Sequence, residues 1–156
     1  SLSAKYVKYS DYNNQTIEDI FPAEILQRSV RLNAVDMHNS VMLNSGNGSF
    51  KLIPLPAEAQ FFPVYSIFAD DFNKDGIIDI LLGGNLSGAK PQTGIYEAGY
   101  GLVLLGDSDG SMAPVSSILS GFLTKGDIRN MDVININNNK IIVVARNNGN
   151  LHFYKY

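Results

Sequence analysis

Slid along itself by 62 positions, the chain meets a fainter copy of its own pattern. The segment "VMLNSGNGSF" (41–50) falls on "VLLGDSDGSM" (103–112), so that Val41 meets Val103, Gly48 meets Gly110 and Ser49 meets Ser111. The same offset, without a gap, carries "DILLGGN" (79–85) onto "IIVVARN" (141–147) and Asn73 onto Asn135. A shared offset linking two separate patterns is hard to get by chance and marks a structural repeat.

Each unit reads as β structure. "SVMLN", "FKLIPL", "VYSIFA" and "IIDILLGG" are short β-prone runs punctuated by Gly, Asn, Asp and Pro; the second unit offers "GLVLLG", "APVSSIL", "IRNMDVI" and "KIIVVAR". Four short strands per unit is the pattern of a propeller blade. The turns "NSGNGS" and "GDSDGS" supply residues that tolerate positive φ, and the second reads as a type I′ turn with Asp107 and Asp109 in solvent. The first 38 residues differ. "TIEDIFPAEILQRSV" spaces Ile17, Ile20, Phe21, Ile25 and Leu26 helically, Thr16 with Asp19 makes a capping box, and Pro22 divides two short helices. "RLNAVD" then resumes a strand pattern and is expected to form the outer edge of a preceding, incomplete blade.

The segment "DFNKDGIID" carries the chemistry. Taken as positions 1 to 9, it puts Asp71, Asn73, Asp75 and Asp79 at 1, 3, 5 and 9, the Ile77 carbonyl at 7, and Gly76 at the sharp sixth place. This is the donor order of an EF-hand-type calcium loop, in which hard oxygens wrap a hard cation. It is not an EF-hand, since the twelfth position is Leu82 and both flanks read as strands. The remaining expectation is a strand-loop-strand calcium site, with a metal-free polar hairpin as the alternative.

With 156 residues, 45% apolar and 17% charged, the chain is long enough for an ordinary core. A net charge of -3 without a basic block argues against nucleic acid, because phosphate binding needs clustered Lys and Arg. The longest apolar run, "GIIDILLGG", is too short to span a membrane and contains an aspartate. No cysteine is present, which excludes disulfides, thiol catalysis and thiolate zinc sites. The opening "SLSAKYVKYSDY" begins without methionine and without a signal-peptide pattern, as expected of a segment taken from a longer protein. His38 and His152 read as ordinary surface or edge residues, and "NGS" at Asn47 and "NLS" at Asn85 match a sequon too short to be decisive.

The stretch "ADDFNKDGIIDILLGGN", preceded by the "NSGNGSF" hairpin, resembles the FG-GAP or VCBS repeat, the calcium-binding blade of integrin α-chain propellers. With "TGIYEAGYGLVLLGDSDGS" it is more narrowly similar to the C-terminal part of bacterial FG-GAP proteins of the ASPIC/UnbV-associated type. The resemblance implies a mainly β fragment of a propeller of about seven blades. That fragment would hold a partial blade with helices at 1–38, a calcium blade at 39–100 and a degenerate blade at 101–156. It implies one calcium held by Asp71, Asn73, Asp75, Ile77 and Asp79. The second unit should bind none, since the ungapped offset sets Val133 on Asp71, Asn137 on Asp75 and Ile141 on Asp79. A non-catalytic binding or scaffolding module, exported or on a cell surface, follows from the likeness, with self-association through open blade edges. Two alternatives stand beside it. One is a carbohydrate-binding propeller using the exposed connection at Tyr96, Glu97 and Tyr100, with "FFPVY" as a further aromatic site. The other is a metal-assisted hydrolase or lyase using the 71–79 loop.

Overall fold

A computed structural model describes residues 5–156 and divides them into two units, meeting between Met37 and His38. The first unit holds two short helices, α1 (Ile17–Ile20) and α2 (Ala23–Arg28). The expected capping box joins Thr16 to Asp19: the Thr16 N–H donates to Asp19 Oδ2 at 2.8 Å, and the Thr16 hydroxyl donates to the same oxygen at 3.0 Å. Pro22 caps α2 and cannot continue α1. The expected strand at 31–36 does not form. No neighbouring strand among the described residues takes up its backbone groups, and a lone strand has nothing to hold it. Val30, Leu32, Val35 and Met37 are left exposed.

The second unit is mainly β, with nine strands in three small antiparallel sheets. The first is the hairpin β1 (Ser40–Asn44) and β2 (Phe50–Pro54). The middle sheet runs β3 (Val64–Asp70), β4 (Asp79–Gly84), β5 (Leu102–Gly106) and β6 (Met112–Val115). The third runs β7 (Ile128–Ile136), β8 (Asn139–Arg146) and β9 (His152–Lys155). Strands follow sequence order within every sheet, and the described residues close no propeller. No helix among them is long and apolar enough to cross a membrane.

The 62-residue offset carries β1 onto β5 end for end and the end of β4, Gly84, onto the end of β8, Arg146. The sheets are nevertheless out of phase with the expected blade boundaries. The four-stranded sheet spans 64–115 and straddles the division expected at 100. A repeat read from sequence has a period but no phase. Phase is set by which neighbours pair, and β2 does not pair with β3; residues 55–63 run between them through a 3-10 segment (Ala57–Gln60).

The register refines the repeat. Both first strands carry a bulge, with Val64 facing Gly84 in one sheet and Ile128 facing Arg146 in the other. Val64 and Ile128 lie 64 apart, while Gly84 and Arg146 lie 62 apart, so the β7–β8 connection is two residues shorter. Asn135, rather than Val133, is therefore the counterpart of Asp71. "APVSSIL" is also only partly strand. After Val115 the chain enters a helical turn, α3 (Ser117–Ser120), started by Ser116 and stopped by Gly121 at φ 70°.

The middle sheet is the core. Phe68, Leu81 and Val103 on one face pack against Met131, Ile142 and Val144 of the third sheet, with Phe122 and Ile128 alongside. Leu82 and Leu104 on the other face pack against Ala59 and Phe62 from the β2–β3 connection. Each such side chain fully buried contributes about 1.5–3 kcal/mol. The paired glycines ending β4 permit this closeness: a Cβ on Gly83 would lie 2.5 Å from Ile128 Cγ2, and one on Gly84 would lie 1.8 Å from the Pro63 carbonyl oxygen. A polar clamp joins the same two sheets. Buried Asp127 accepts from the Ser87 N–H and hydroxyl and from Arg129 Nη2 at 3.0 Å, while Arg129 Nη1 donates to the Asn85 carbonyl at 2.8 Å.

Candidate metal site

Asp70 and Asp79 are the last pair of the β3–β4 ladder, and residues 71–78 loop out beyond them. A loop of this length leaves its backbone N–H groups without ladder partners, and the Asp and Asn side chains accept from them. Asp71 Oδ1 and Oδ2 accept from the N–H groups of Asp75 and Gly76, at 3.1 and 2.9 Å. Asn73 Oδ1 accepts from the Asp75 N–H at 3.1 Å, and Asp75 Oδ1 accepts from the Ile77 N–H at 2.8 Å. The chain curls through positive φ at Lys74 (64°) and Gly76 (87°). Only the glycine takes that conformation without strain.

Asp79 is set apart from the others. It is 0% exposed, whereas Asn73 and Asp75 stand in solvent. Its Oδ2 accepts from the Phe72 N–H at 2.9 Å and the Asn73 N–H at 3.4 Å, and its Oδ1 accepts from the Gly106 N–H at 2.9 Å. One carboxylate thus ties the start of the loop, the start of β4 and the end of β5 together.

The five expected donors therefore share one loop, and their chemistry and order fit a hard cation. Each carboxylate oxygen has two acceptor sites, so an oxygen that accepts an N–H retains capacity for a metal. In this conformation the carboxylates face the loop's own backbone, and no three acidic, His or Cys side chains among the described residues gather closely enough to form a cage.

Asp70, which the spacing argument passes over, neighbours the loop. Its Oδ2 accepts from Lys140 Nζ on β8 and from the Tyr156 hydroxyl. Those hydrogen bonds, Lys140 first, lower its pKa from the ordinary 3.8 to about 2. Desolvation, with Asp70 adding to it, pushes the Tyr156 hydroxyl up. The doublet "DD" was the only sequence sign of a second acidic role here.

The other expected surface is divided. Tyr96 forms a two-way backbone bridge with Leu86 and leaves its ring exposed. Glu97 is exposed. Tyr100 alone of the three lines a cleft of about 360 Å³, where it is joined by Phe61, and Lys125 Nζ stands 5.9 Å from its ring centroid. Of "FFPVY", Phe62 is core and Tyr65 lies under the Arg129 guanidinium, 4.3 Å from its ring centroid.

Asp107 and Asp109 are exposed on the β5–β6 turn, as expected, but the turn is not type I′. The Gly110 N–H donates to the Asp107 carbonyl at 2.9 Å, and positive φ falls on Gly110 (83°) instead of the two central residues. His152 sits on β9 with Nδ1 3.4 Å from the Thr124 hydroxyl, and His38 is exposed. The sequon at Asn85 is inaccessible, because its buried amide donates to the Gly99 carbonyl at 2.6 Å.

Scanned against protein-family models the chain matches none, and no curated protein and no solved structure matches it.

Proposed function

We propose that the chain is a non-catalytic calcium-binding module of the FG-GAP/VCBS kind, a piece of a β-propeller that serves in binding or scaffolding. The observation that carries this is the 71–79 loop. Alternating oxygen donors close the junction of the first two strands in a four-stranded antiparallel meander. The residues that would hold calcium are Asp71, Asn73, Asp75 and Asp79 with the Ile77 carbonyl. The ion supplies positive charge that offsets carboxylate repulsion, and the chain supplies a curl already shaped by its own hydrogen bonds. What favours scaffolding over a metal-assisted hydrolase or lyase is that these carboxylates turn onto their own loop. An extracytoplasmic setting, where calcium is abundant, fits the same reading.

Titration calorimetry on chelator-stripped protein tests it, beside Asp75→Ala. One calcium per chain is expected, with binding lost in the variant. A ligand that binds only the folded state adds about 2.7 kcal/mol at one hundred times its dissociation constant, so the melting midpoint should rise with calcium in the parent alone. Absence of both heat and a midpoint shift from folded protein would overturn the calcium assignment.

A second reading rests on Phe61 and Tyr100 sharing a cleft. Exposed aromatic faces of this kind stack on sugar rings. A glycan array on the parent and on Tyr100→Ala tests it, and no parent-specific signal would remove it.

A further inference from the structure

The third sheet matches the middle sheet strand for strand up to its last edge, where the middle sheet has one strand more. Ile80 pairs with Leu104, and Ile142, 62 positions on, pairs with Tyr154, so β9 stands where β5 stands. The backbone phase agrees. The Tyr156 N–H donates to the Lys140 carbonyl at 3.3 Å, which makes Ile142–Tyr154 and Val144–His152 the hydrogen-bonded pairs of β8 and β9. The N–H and C=O groups of Phe153 and Lys155 then point away from β8. The same positions in the middle sheet are Val103 and Leu105, and β6 takes up their backbone groups. No strand among the described residues does so for Phe153 and Lys155. The outer edge of β6 is blunted by Pro114, whose position presents no N–H outward, but β9 contains no proline.

That open edge borders an apolar cleft. About 470 Å³ lies between the two sheets, lined by Leu81 and Ile142 on the central strands and by Leu105, Val115 and Tyr154 on the outer ones. A strand added to β9 would set alternate side chains into this cleft, as β6 sets Met112 beside Leu104.

The chain also carries a strand pattern that lacks an edge. In "VRLNAV" (30–35), Val30, Leu32 and Ala34 alternate with Arg31 and Asn33, the pattern of a strand covered on one face. These residues join no sheet, and Val30 and Leu32 are 84% and 87% exposed. The edge within the same chain is out of their reach. Asn39 is held on the far side of the middle sheet, where its N–H donates to Gln60 Oε1 at 2.8 Å and its side-chain amide to the Ala59 carbonyl at 2.7 Å. The four residues from Val35 to Asn39 span at most about 14 Å, whereas two sheet spacings, about 20 Å, separate that side from the third sheet.

We propose that residues 30–35 of one copy add to the β9 edge of a second copy as a fourth, antiparallel strand, with Val30, Leu32 and Ala34 in the cleft. Main-chain hydrogen bonds hold a strand added in this way, and the cleft selects its apolar face. The contact depends on strand pairing and not on the calcium reading of the 71–79 loop.

Sedimentation velocity on the full chain in chelator, from about 1 μM to about 1 mM, tests this with Lys155→Pro and Asn33→Pro. Lys155→Pro removes an outward N–H and leaves the β8–β9 hydrogen bonds in place; Asn33→Pro removes one from a segment that no sheet uses. Circular dichroism checks that each variant folds, and Phe153→Pro serves if Lys155→Pro does not. The parent's mass should rise with concentration, while each variant alone stays monomeric. An equimolar mixture of the two should associate, since one keeps the strand and the other keeps the edge. Hydrogen exchange on the parent needs no variant: the amides of 30–35 and of Phe153 and Lys155 should slow together as concentration rises. A parent that is monomeric throughout overturns the proposal. So does a mixture that stays monomeric, a variant that associates like the parent, or association that leaves either set of amides unprotected. With calcium absent from every arm, failure here is separable from failure of the metal assignment.

Discussion

Replacing Asp79 with asparagine separates a structural carboxylate from a metal ligand. The side chain is wholly buried and accepts the Phe72 and Gly106 N–H groups, both at 2.9 Å. Asparagine keeps the shape but has one acceptor oxygen. Whichever way its amide turns, an NH₂ group faces a backbone donor, and one N–H is left unpaired. A hydrogen bond to a charged group contributes about 1.5–3 kcal/mol, and a buried donor left unpaired costs about 1–3 kcal/mol. The two figures describe largely the same loss, so Asp79→Asn should cost about 1.5–3 kcal/mol in chelator, with no calcium present. For a chain of this length the melting midpoint should fall by about 3–12 °C. Asp75→Asn is the control. Its partners, the Ile77 N–H and the Asn73 amide, lie on an exposed loop, and the cost in chelator should stay within about 1 kcal/mol. Urea denaturation of both variants and the parent in chelator reads the difference. If Asp79→Asn lies within about 0.5 kcal/mol of the parent, or if the two variants cost the same, Asp79 does not hold the loop, β4 and β5 together as described.

Gly84→Ala should prevent folding or cost more than about 3 kcal/mol, because the new Cβ meets the Pro63 backbone oxygen at 1.8 Å and no rotamer relieves it. A thermal melt near that of the parent would mean that Pro63 gives way. The Asp70 pair with Lys140 and Tyr156 predicts an acid effect. A carboxyl lowered from 3.8 to about 2 in the folded state contributes stability that is fully present above about pH 4 and is lost as pH falls toward 2. The stability difference between the parent and Asp70→Asn, measured in urea from pH 6 to pH 2, should shrink over that interval; a constant difference would mean that the pairing is not formed.

Strands β1 to β8 were legible because each holds a short apolar run ended by a residue with a physical reason to end it. The 71–79 donors were legible because their alternate spacing is independent of what surrounds the loop. What stayed hidden depends on distant partners. Nothing local in Leu55 or Pro56 says that β2 will not pair with β3, so the sheet boundary lay elsewhere than expected. The burial of Asp79 depends on the Gly106 N–H, which is 27 residues away. The strand β9, "HFYK", carries two charged or polar residues among two aromatics and becomes a strand only because the edge of β8 is there to receive it. Residues 31–36 make the converse case, with a strand pattern and no edge to join.

The same pairing explains why one junction keeps its carboxylates and the other does not. In the third sheet the ladder continues past Ile134 and Ile141, the counterparts of Asp70 and Asp79, through Asn135–Lys140 and Ile136–Asn139. Only Asn137 and Asn138 remain outside it, at φ 49° and 62°, which suits a two-residue hairpin. Strand pairing satisfies the backbone there, so an isoleucine can stand where Asp79 stands in the first unit. In the middle sheet the ladder stops at Asp70 and Asp79, and the loop's N–H groups take Asp71, Asn73, Asp75 and Asp79 as acceptors. A shortening of two residues is enough to move the junction from one solution to the other. The acidic spacing thus has a use within the fold itself, and a cation at that loop would act on a turn whose curvature those side chains already set.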